Sequence, residues 1–234
     1  MWCRMWRNLS KRRKKALALL ILSLLAAAAV YAAGFPCRST DDASLIRAVE
    51  NSFAEIGSGD AAELRITDTV RRGRELAVIF AKGEIQGDVV LYRGLLGGWR
   101  SVRCQWVDSL EALCVQFLGA GGDRVALAHC AAPPEEAAAY EVTDFWAAPS
   151  KGKRAEVPEE GRLLEIYGPA ASDSLIGHFY DREGRLVGEG AVNSSSGGGD
   201  SWEETEVVYI WCELFLTVGI LGFWLLWRKK GKKA

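Results

Sequence analysis

The sequence has few of the residues and none of the local motifs that usually mark an active site. Only two of its 234 residues are histidine, His129 and His178. His129 adjoins Cys130 on a predicted strand, where neighbouring residues face opposite sides, so the two are not predicted to act together as base and nucleophile. The motifs G-x-S-x-G and H-E-x-x-H and a phosphate-binding glycine loop are absent. The sequence therefore identifies no catalytic residue and predicts no cofactor.

Cysteine pairs with metal-ligand spacing are also lacking. The chain has no C-x-x-C motif, and we predict no zinc site. Cys3 precedes the first apolar run and Cys212 lies within the second. The four cysteines between the runs allow three complete pairings, and they are Cys37, Cys104, Cys114 and Cys130. A Cys104–Cys114 bridge would close a short loop. Strand alternation, however, groups Cys104 with Val102 and Trp106, and groups Cys114 with Gln116. Two alternatives stay open: one or two disulfides, or buried free thiols that act as small apolar side chains.

Long apolar runs, by contrast, are present at both ends. Residues 16–34 form a run without charge, and residues 207–227 form a run interrupted only by Glu213. A helix of 21 residues is about 31 Å long, which matches the roughly 30 Å hydrocarbon core of a bilayer. Both runs are predicted to be transmembrane helices. A cleaved secretory signal is the alternative for the first run, but its apolar core is long for a signal peptide, which favours a retained signal anchor.

The charges divide the chain into basic, acidic and basic parts. Residues 1–15 carry seven Lys and Arg and residues 228–234 carry five, without an acid in either segment. Residues 41–206 carry 16 Lys and Arg against 29 Asp and Glu, a net charge of −13. Because basic flanks stay in the cytoplasm, both termini are predicted inside and residues 35–206 outside. The basic ends are short and lack a folded recognition element, so we expect them to contact anionic lipid of the inner leaflet and no nucleic acid.

The segment 35–192 is predicted to be one extracytoplasmic domain. After the capping oxygens of residues 39–41, apolar residues recur at helical spacing, namely Leu45, Ile46, Val49, Phe53 and Ile56. The pattern then shortens to period two, with Leu76, Val78 and Phe80 on one face, and continues as eight or nine short strands. Residues 179–187 are predicted to form a hairpin with Gly184 in its turn, and residues 148–161 are predicted to form a long, mobile surface loop. This predicts an α+β, mostly antiparallel β domain with one leading helix, flanked by two transmembrane helices. The glycine- and serine-rich residues 193–206 are predicted to be a flexible linker.

One stretch carries a family resemblance. The helix followed by "LAVIFAKGEIQGDVVLYRGLLGGWRSV", within residues 41–107, resembles membrane-tethered exoproteins of Gram-positive bacteria that mostly lack an assigned role. The resemblance implies an envelope location and brings no functional residue. Such proteins commonly have one span, whereas this chain has two apolar runs.

Glu213 is the one residue whose predicted position, inside a transmembrane helix, is energetically unfavourable and has no evident structural reason. It is predicted either to reach the membrane interface or to contact another span. Gly219 and Gly222 allow close helix approach, within the chain or with a membrane-protein partner.

The function predicted from the sequence as a whole is a non-enzymatic binding or accessory module of a cell-envelope assembly. The alternative is an exported cell-envelope hydrolase, because paired carboxylates leave no local signature.

Overall fold

The computed structural model describes residues 10–52, 63–119, 124–144, 154–159, 161–167, 175–189 and 202–228. It divides into two compact units. The first contains both ends of the chain, Met1–Pro36 and Ser201–Ala234, and the second is Cys37–Asp200. Each unit is described by itself.

The first unit is a pair of antiparallel helices, α1 (Lys11–Gly34) and α3 (Trp202–Arg228). The Arg13 guanidinium lies 4.7 Å from the Trp227 ring centroid at one end of the pair, and the Phe35 and Tyr209 rings are 5.7 Å apart at the other. Within these helices, Arg13–Gly34 and Thr205–Trp227 are long and apolar enough to cross a membrane. The two predicted apolar helices are therefore present at the two ends of the chain.

Both helices extend beyond the apolar runs. Helix α1 begins at Lys11, after Ser10, whose hydroxyl accepts a hydrogen bond from the Arg13 N–H at 3.4 Å. Helix α3 begins at Trp202 and so includes residues 202–206, which the sequence assigned to the linker. Three glutamates in this stretch explain the longer helix, because glutamate forms helices well and favours the positive end of the helix dipole. Residues 193–201 of the predicted linker lie outside the described residues.

The second unit contains helix α2 (Asp42–Ser52) and three antiparallel sheets. The first sheet is a meander in the order β1-β2-β3-β4, with β1 (Arg65–Arg72), β2 (Glu75–Lys82), β3 (Ile85–Arg93) and β4 (Trp99–Val107). The second has the order β5-β6-β9, with β5 (Cys114–Leu118), β6 (Val125–Cys130) and β9 (Leu163–Tyr167). The third has the order β11-β10-β7-β8, with β7 (Ala139–Asp144), β8 (Ala155–Glu156), β10 (Leu175–Tyr180) and β11 (Leu186–Glu189). The prediction of a leading helix and a mostly antiparallel β domain is confirmed.

Helix α2 has the predicted cap and packing face. The Asp41 carboxylate accepts hydrogen bonds from the Ser39 hydroxyl and, at 2.8 Å, from the Ser44 N–H. These hydrogen bonds lower the pKa of Asp41, which carries a negative charge at the positive end of the helix. Leu45 and Val49 are buried against the first sheet. The later apolar positions of this pattern, residues 53 and 56, lie outside the described residues.

Strand alternation stacks the sheets in layers. Leu76, Val78 and Phe80 share one face of the first sheet, as predicted, and pack under α2. The opposite face, which includes Ala77, Ile79 and Val90, packs on Leu118, Val125 and Leu127 of the second sheet. The other face of the second sheet packs on the third sheet, where Ala128 and Cys130 meet Tyr140 and Phe179. The second sheet is thus covered on both faces, which explains why β5 and β6 are buried along their whole length.

Two details of the strand prediction are wrong. A register shift in the β3–β4 pair leaves Val102 as an extra residue between Ser101 and Arg103. Because a bulge reverses the alternation, Val102 and Cys104 lie on opposite faces of the sheet and not on one. Residues 148–161 were also expected to be one long surface loop, but they contain the short strand β8, which pairs with β7.

The predicted hairpin at residues 179–187 is present as β10 and β11. The Asp181 carboxylate accepts a hydrogen bond from the Arg185 N–H at 2.7 Å. Gly184 closes the turn with a φ of 80°, a left-handed conformation that glycine adopts without strain.

Candidate functional site

Two of the three residues predicted to make intramembrane contacts lie between the paired helices. A Cβ placed on Gly219 would lie 2.6 Å from Ser23 Cβ, and one on Gly222 would lie 2.3 Å from Leu19 Cδ2. The two glycines therefore allow the backbone of α3 to approach α1 more closely than any larger residue would. The close approach predicted from Gly219 and Gly222 occurs within the chain.

Glu213, the third of these residues, lies outside this contact. It is exposed on the surface of α3, next to half-buried Cys212, whose thiol lies 3.5 Å from the Ala27 carbonyl oxygen of α1. Within the part of the chain that the structure describes, no cation pairs with Glu213. The structure thus separates the two glycines from the glutamate that sequence reasoning had grouped with them.

A buried polar network lies between the first and second sheets. Its centre is the carboxylate of Asp88 on β3, which is 0% exposed. Asp88 Oδ1 accepts a hydrogen bond from Gln116 Nε2 at 2.8 Å, and Asp88 Oδ2 accepts one from Gln105 Nε2 at 2.5 Å. The third contact is with His129, whose Nε2 lies 2.9 Å from Asp88 Oδ2. One carboxylate thus joins strands β3, β4, β5 and β6.

Strand register explains why these four side chains meet. Asp88 and Gln105 are direct partners in the β3–β4 pair, so their side chains share one face of the first sheet. In the β5–β6 pair, Gln116 lies opposite Leu127, and His129 follows Leu127 two residues later on the same face. Both faces point into the same layer, and the network occupies one part of it beside the apolar residues.

A second buried glutamine and an ion pair extend the polar layer. The Gln86 amide donates to the Ser109 and Ala112 carbonyls, each at 2.8 Å, and accepts from the Ala131 N–H at 2.7 Å. Glu75 Oε2 accepts a hydrogen bond from Arg103 Nη2 at 3.0 Å. Burial lowers the pKa of Arg103, while the negative charge of Glu75 acts in the opposite direction. Each of these side chains has at least one hydrogen-bond partner, which allows it to be buried here, although Arg103 Nε has none among the described residues.

A cleft of about 300 Å³ opens beside this network, between β1 and β9, and His129 forms part of its wall. Its polar lining includes Arg65, Asp68 and Arg162. Arg162 Nη1 donates to the Thr67 carbonyl oxygen at 3.3 Å, and Arg162 Nη2 lies 3.8 Å from Asp68 Oδ2. Arg162, which directly precedes β9, therefore links the two edge strands β1 and β9 across the cleft.

A bulge in β1 shapes the cleft. The register of the β1–β2 pair shifts between Ile66 and Asp68, so that Thr67 is an extra residue. Arg65 and Asp68 would face opposite sides of a regular strand. The extra residue brings both onto the face that looks toward the second sheet, and it leaves the Thr67 carbonyl available to Arg162.

His129 carries an unused polar atom at this site. The residue is only 1% exposed, and its Nδ1 has no hydrogen-bond partner among the residues that the structure describes. Sequence reasoning assigned His129 no role. The structure buries it completely and pairs it with Asp88, 41 residues away in the chain.

The four cysteines of the domain are free thiols in the structure. Cys114 lies opposite His129, while Cys130 lies on the other face of β6 and donates to the Leu110 carbonyl at 3.3 Å. Burial raises the pKa of Cys130 to about 12 and raises that of Cys114 well above its ordinary value. Burial also raises the pKa of Cys37, whose thiol lies 3.0 Å from the Ser39 carbonyl oxygen. Disulfides among Cys37, Cys104, Cys114 and Cys130 stay a prediction, which mobility on a non-reducing gel would test.

Known proteins add no residue to this site. No protein-family model, no curated protein and no solved structure matches the chain. Nor do three or more His, Cys, Asp or Glu side chains come together as metal ligands within the described ranges.

Sequence reasoning did not single out Asp88, because acidic residues are numerous in this chain and Asp88 belongs to no recognisable motif. A signal was nevertheless present. In "GDVVLYR", strand alternation places Asp88 on the same face as Val90, so that a carboxylate points into a layer of apolar side chains. A charged residue in such a position needs buried partners. The two buried glutamines that contact it, Gln105 and Gln116, also lie within strands.

Proposed function

We propose that this chain is a membrane-anchored extracytoplasmic protein that acts as a binding or accessory module of a cell-envelope assembly. The observation that carries the proposal is the antiparallel pairing of two apolar helices, Arg13–Gly34 and Thr205–Trp227. The pairing places Arg13 beside Trp227 at one end and Gly34 beside Val208 at the other. A chain that crosses a membrane on such a pair leaves and returns on the same side.

The distribution of charge supports one orientation of the pair. The five basic residues 11–15 lie at the end of α1 where α3 finishes, and five more follow in residues 228–234. Basic residues beside a span stay in the cytoplasm, where anionic lipids of the inner leaflet attract them. Residues 35–206, with their excess of acids, are then outside. Anionic lipid is a better partner than nucleic acid for the basic ends, because these ends directly flank apolar helices.

The cleft supports binding better than hydrolysis. A glycosidase that uses two carboxylates needs them about 5–10 Å apart on either side of the bond to be broken. The described wall of the cleft contains one carboxylate, Asp68. Asp88 is not available to a substrate, because its oxygens are occupied by Gln105, Gln116 and His129 and it is 0% exposed. A hydrolase remains the alternative function, with less support from these residues.

The orientation can be tested by labelling introduced cysteines in intact cells with a membrane-impermeant maleimide. Glu84→Cys reports on the exposed turn between β2 and β3, and Lys14→Cys reports on the basic end of α1. The unmodified chain gives the background from its native cysteines. We expect Glu84→Cys to react in intact cells and Lys14→Cys to react only after permeabilisation. Labelling of the two variants in the opposite order would refute the proposed location.

A further inference from the structure

We infer that one end of the first sheet docks on an anionic lipid surface, with Leu95 and Leu96 in the interface and a group of arginines against the headgroups. This end of the sheet carries the β1–β2 turn and the β3–β4 turn. The inference goes beyond the proposed function and rests on it only for the membrane anchor. It does not depend on which side of the membrane the globular unit occupies.

The tip of the β3–β4 hairpin exposes two adjacent leucines. Leu95 is 65% exposed and Leu96 is 81% exposed, and no other large apolar side chain described in the globular unit is as exposed. Backbone hydrogen bonds close the turn, from the Gly94 N–H to the Gly98 carbonyl at 3.1 Å and from the Gly97 N–H to the Gly94 carbonyl at 3.2 Å. A single exposed leucine is common, but turns usually carry small or polar residues. Two leucines side by side at the end of a closed hairpin form an apolar surface that is better buried than left in water.

Five arginines lie at the same end of the sheet. They belong to the segments 71–75 and 92–100, in which Glu75 is the only acid, and they are Arg71, Arg72, Arg74, Arg93 and Arg100. Glu75 is 4% exposed and its carboxylate lies 3.0 Å from Arg103, so it does not offset these charges at the surface. Residues 41–206 together have a net charge of −13, yet this end of the sheet is basic. The charges of the domain are therefore separated, and the basic end is the part that attracts an anionic surface.

Contacts between the two turns hold arginines beside the strands that carry the leucine tip. The Arg93 N–H donates to the Arg74 carbonyl at 2.8 Å, and Arg74 Nη1 lies 3.4 Å from the Tyr92 hydroxyl. The guanidinium groups of Arg71 and Arg93 lie 5.5 Å and 6.0 Å from the centroid of the Trp99 ring. These three arginines are exposed. Their long side chains can therefore extend to lipid phosphates while their backbone stays fixed in the sheet.

The combination of an apolar tip and a basic surround favours lipid over other occupants. At a membrane surface, burial of apolar area adds to the attraction between basic side chains and anionic headgroups. A nucleic acid fits less well, because leucines lack the aromatic faces on which bases stack. A protein partner also fits less well, because stable protein interfaces bury about 1,200–2,000 Å² in total and the tip offers two side chains. A lipid surface needs no matching shape.

Chain length alone keeps this end of the sheet within reach of the membrane. The Trp99 N–H donates to the Cys37 carbonyl at 2.7 Å, and the Cys37 N–H donates to the Trp99 carbonyl at 3.2 Å. Cys37 follows Gly34, the last residue of α1, by three positions. Three extended residues span at most about 11 Å. Whatever the arrangement of the two units, a bilayer that contains α1 is therefore close to the strand that begins at Trp99.

The test places the full chain in nanodiscs and attaches an environment-sensitive fluorophore to Leu96→Cys. Nanodiscs of phosphatidylcholine alone are compared with nanodiscs of an equal mixture of phosphatidylcholine and phosphatidylglycerol. We expect brighter, blue-shifted emission only in the mixture, and we expect a nitroxide on the lipid acyl chains to quench it. Glu84→Cys, in the exposed turn at the opposite end of the same sheet, is the matched control and should report water in both. The unmodified chain gives the background from the native cysteines.

Further variants, made in the Leu96→Cys background, separate the apolar contact from the charge. Leu95→Gln should lower the ratio of docked to undocked protein about tenfold or more. Arg93→Gln should lower this ratio about fivefold, which is the effect of one basic residue near an anionic surface. Arg93→Lys keeps the charge and should nearly keep the ratio. Arg182→Gln changes an exposed arginine in the β10–β11 turn and is the matched control, with an unchanged ratio expected.

Three results would overturn the inference. The first is a label at residue 96 that reports water in the anionic nanodiscs, and the second is a label that is equally buried without anionic lipid. The third is a buried label that the nitroxide lipid does not quench, because a protein surface would then cover the leucines. Gel filtration reports the anchor separately. A chain that leaves the nanodiscs contradicts the proposed anchor and the inference that rests on it, whereas a chain that stays with a water-exposed label contradicts the inference alone.

Discussion

The buried carboxylate of Asp88 should be essential for the stability of the two central layers. Replacing it in Asp88→Leu removes the acceptor of three hydrogen bonds, from Gln105, Gln116 and His129. Each orphaned buried donor costs about 1–3 kcal/mol. Because the three donors share one acceptor, their losses are not additive. The total should therefore be smaller than the sum of three separate donors, and we expect a loss of about 3–5 kcal/mol.

The expected loss is a large part of the stability of an ordinary domain, which is about 5–15 kcal/mol. Hydrogen exchange followed by mass spectrometry on the full chain would measure it strand by strand. A loss of 3 kcal/mol corresponds to exchange about 10²-fold faster in β3, β5 and β6, if these strands exchange through opening of the domain. Asp108→Leu, at an exposed position outside the network, is the matched control and should leave these rates nearly unchanged.

Asp88→Asn provides an intermediate case. Its amide oxygen still accepts one hydrogen bond, and its amide nitrogen can donate to His129 if the imidazole takes the tautomer with a bare Nε2. We expect a loss of about 1–2 kcal/mol, smaller than that of Asp88→Leu. If Asp88→Leu stays within about 1 kcal/mol of the Asp108→Leu control, the network is not a stabilising centre and the reasoning is wrong.

Two further predictions concern the helix pair and the thiols. Gly219→Ala should separate α1 and α3 by about 1 Å, because its Cβ would lie 2.6 Å from an opposing Cβ where contact normally needs about 3.5–4 Å. Disulfide formation between Cys212 and Ala27→Cys should therefore slow down. Gly222→Ala should slow it less, since it meets the end of a flexible leucine; equal rates in both variants would contradict this. Cys130, with its pKa raised to about 12, should be alkylated at pH 8 about 10³-fold more slowly in the folded chain than after denaturation, and faster as the pH approaches 12. Similar rates in the folded and denatured chain would show that the thiol is accessible.

The pattern of the sequence predicts most of the secondary structure because local physics decides it. Two apolar runs long enough to span a bilayer become α1 and α3, and alternation along β2 places Leu76, Val78 and Phe80 under α2. The alternation of side chains between the two faces of a strand is interrupted at Val102 and at Thr67 for the same reason. A bulge is a property of two paired strands, so a single strand's pattern gives no warning of it.

The candidate site is a matter of tertiary structure. His129 can be found in the sequence, but its partner Asp88 lies 41 residues earlier, on another sheet, and is one of 30 acidic residues. Only the packing of the two sheets selects this carboxylate. The sequence by itself determined the apolar ends, the division of charge and the strand-rich middle, because these depend on neighbours along the chain. The tertiary structure alone decided which polar groups meet in the buried layer between the first and second sheets. That outcome depends on strand register and sheet order, which segments far apart in the chain determine together.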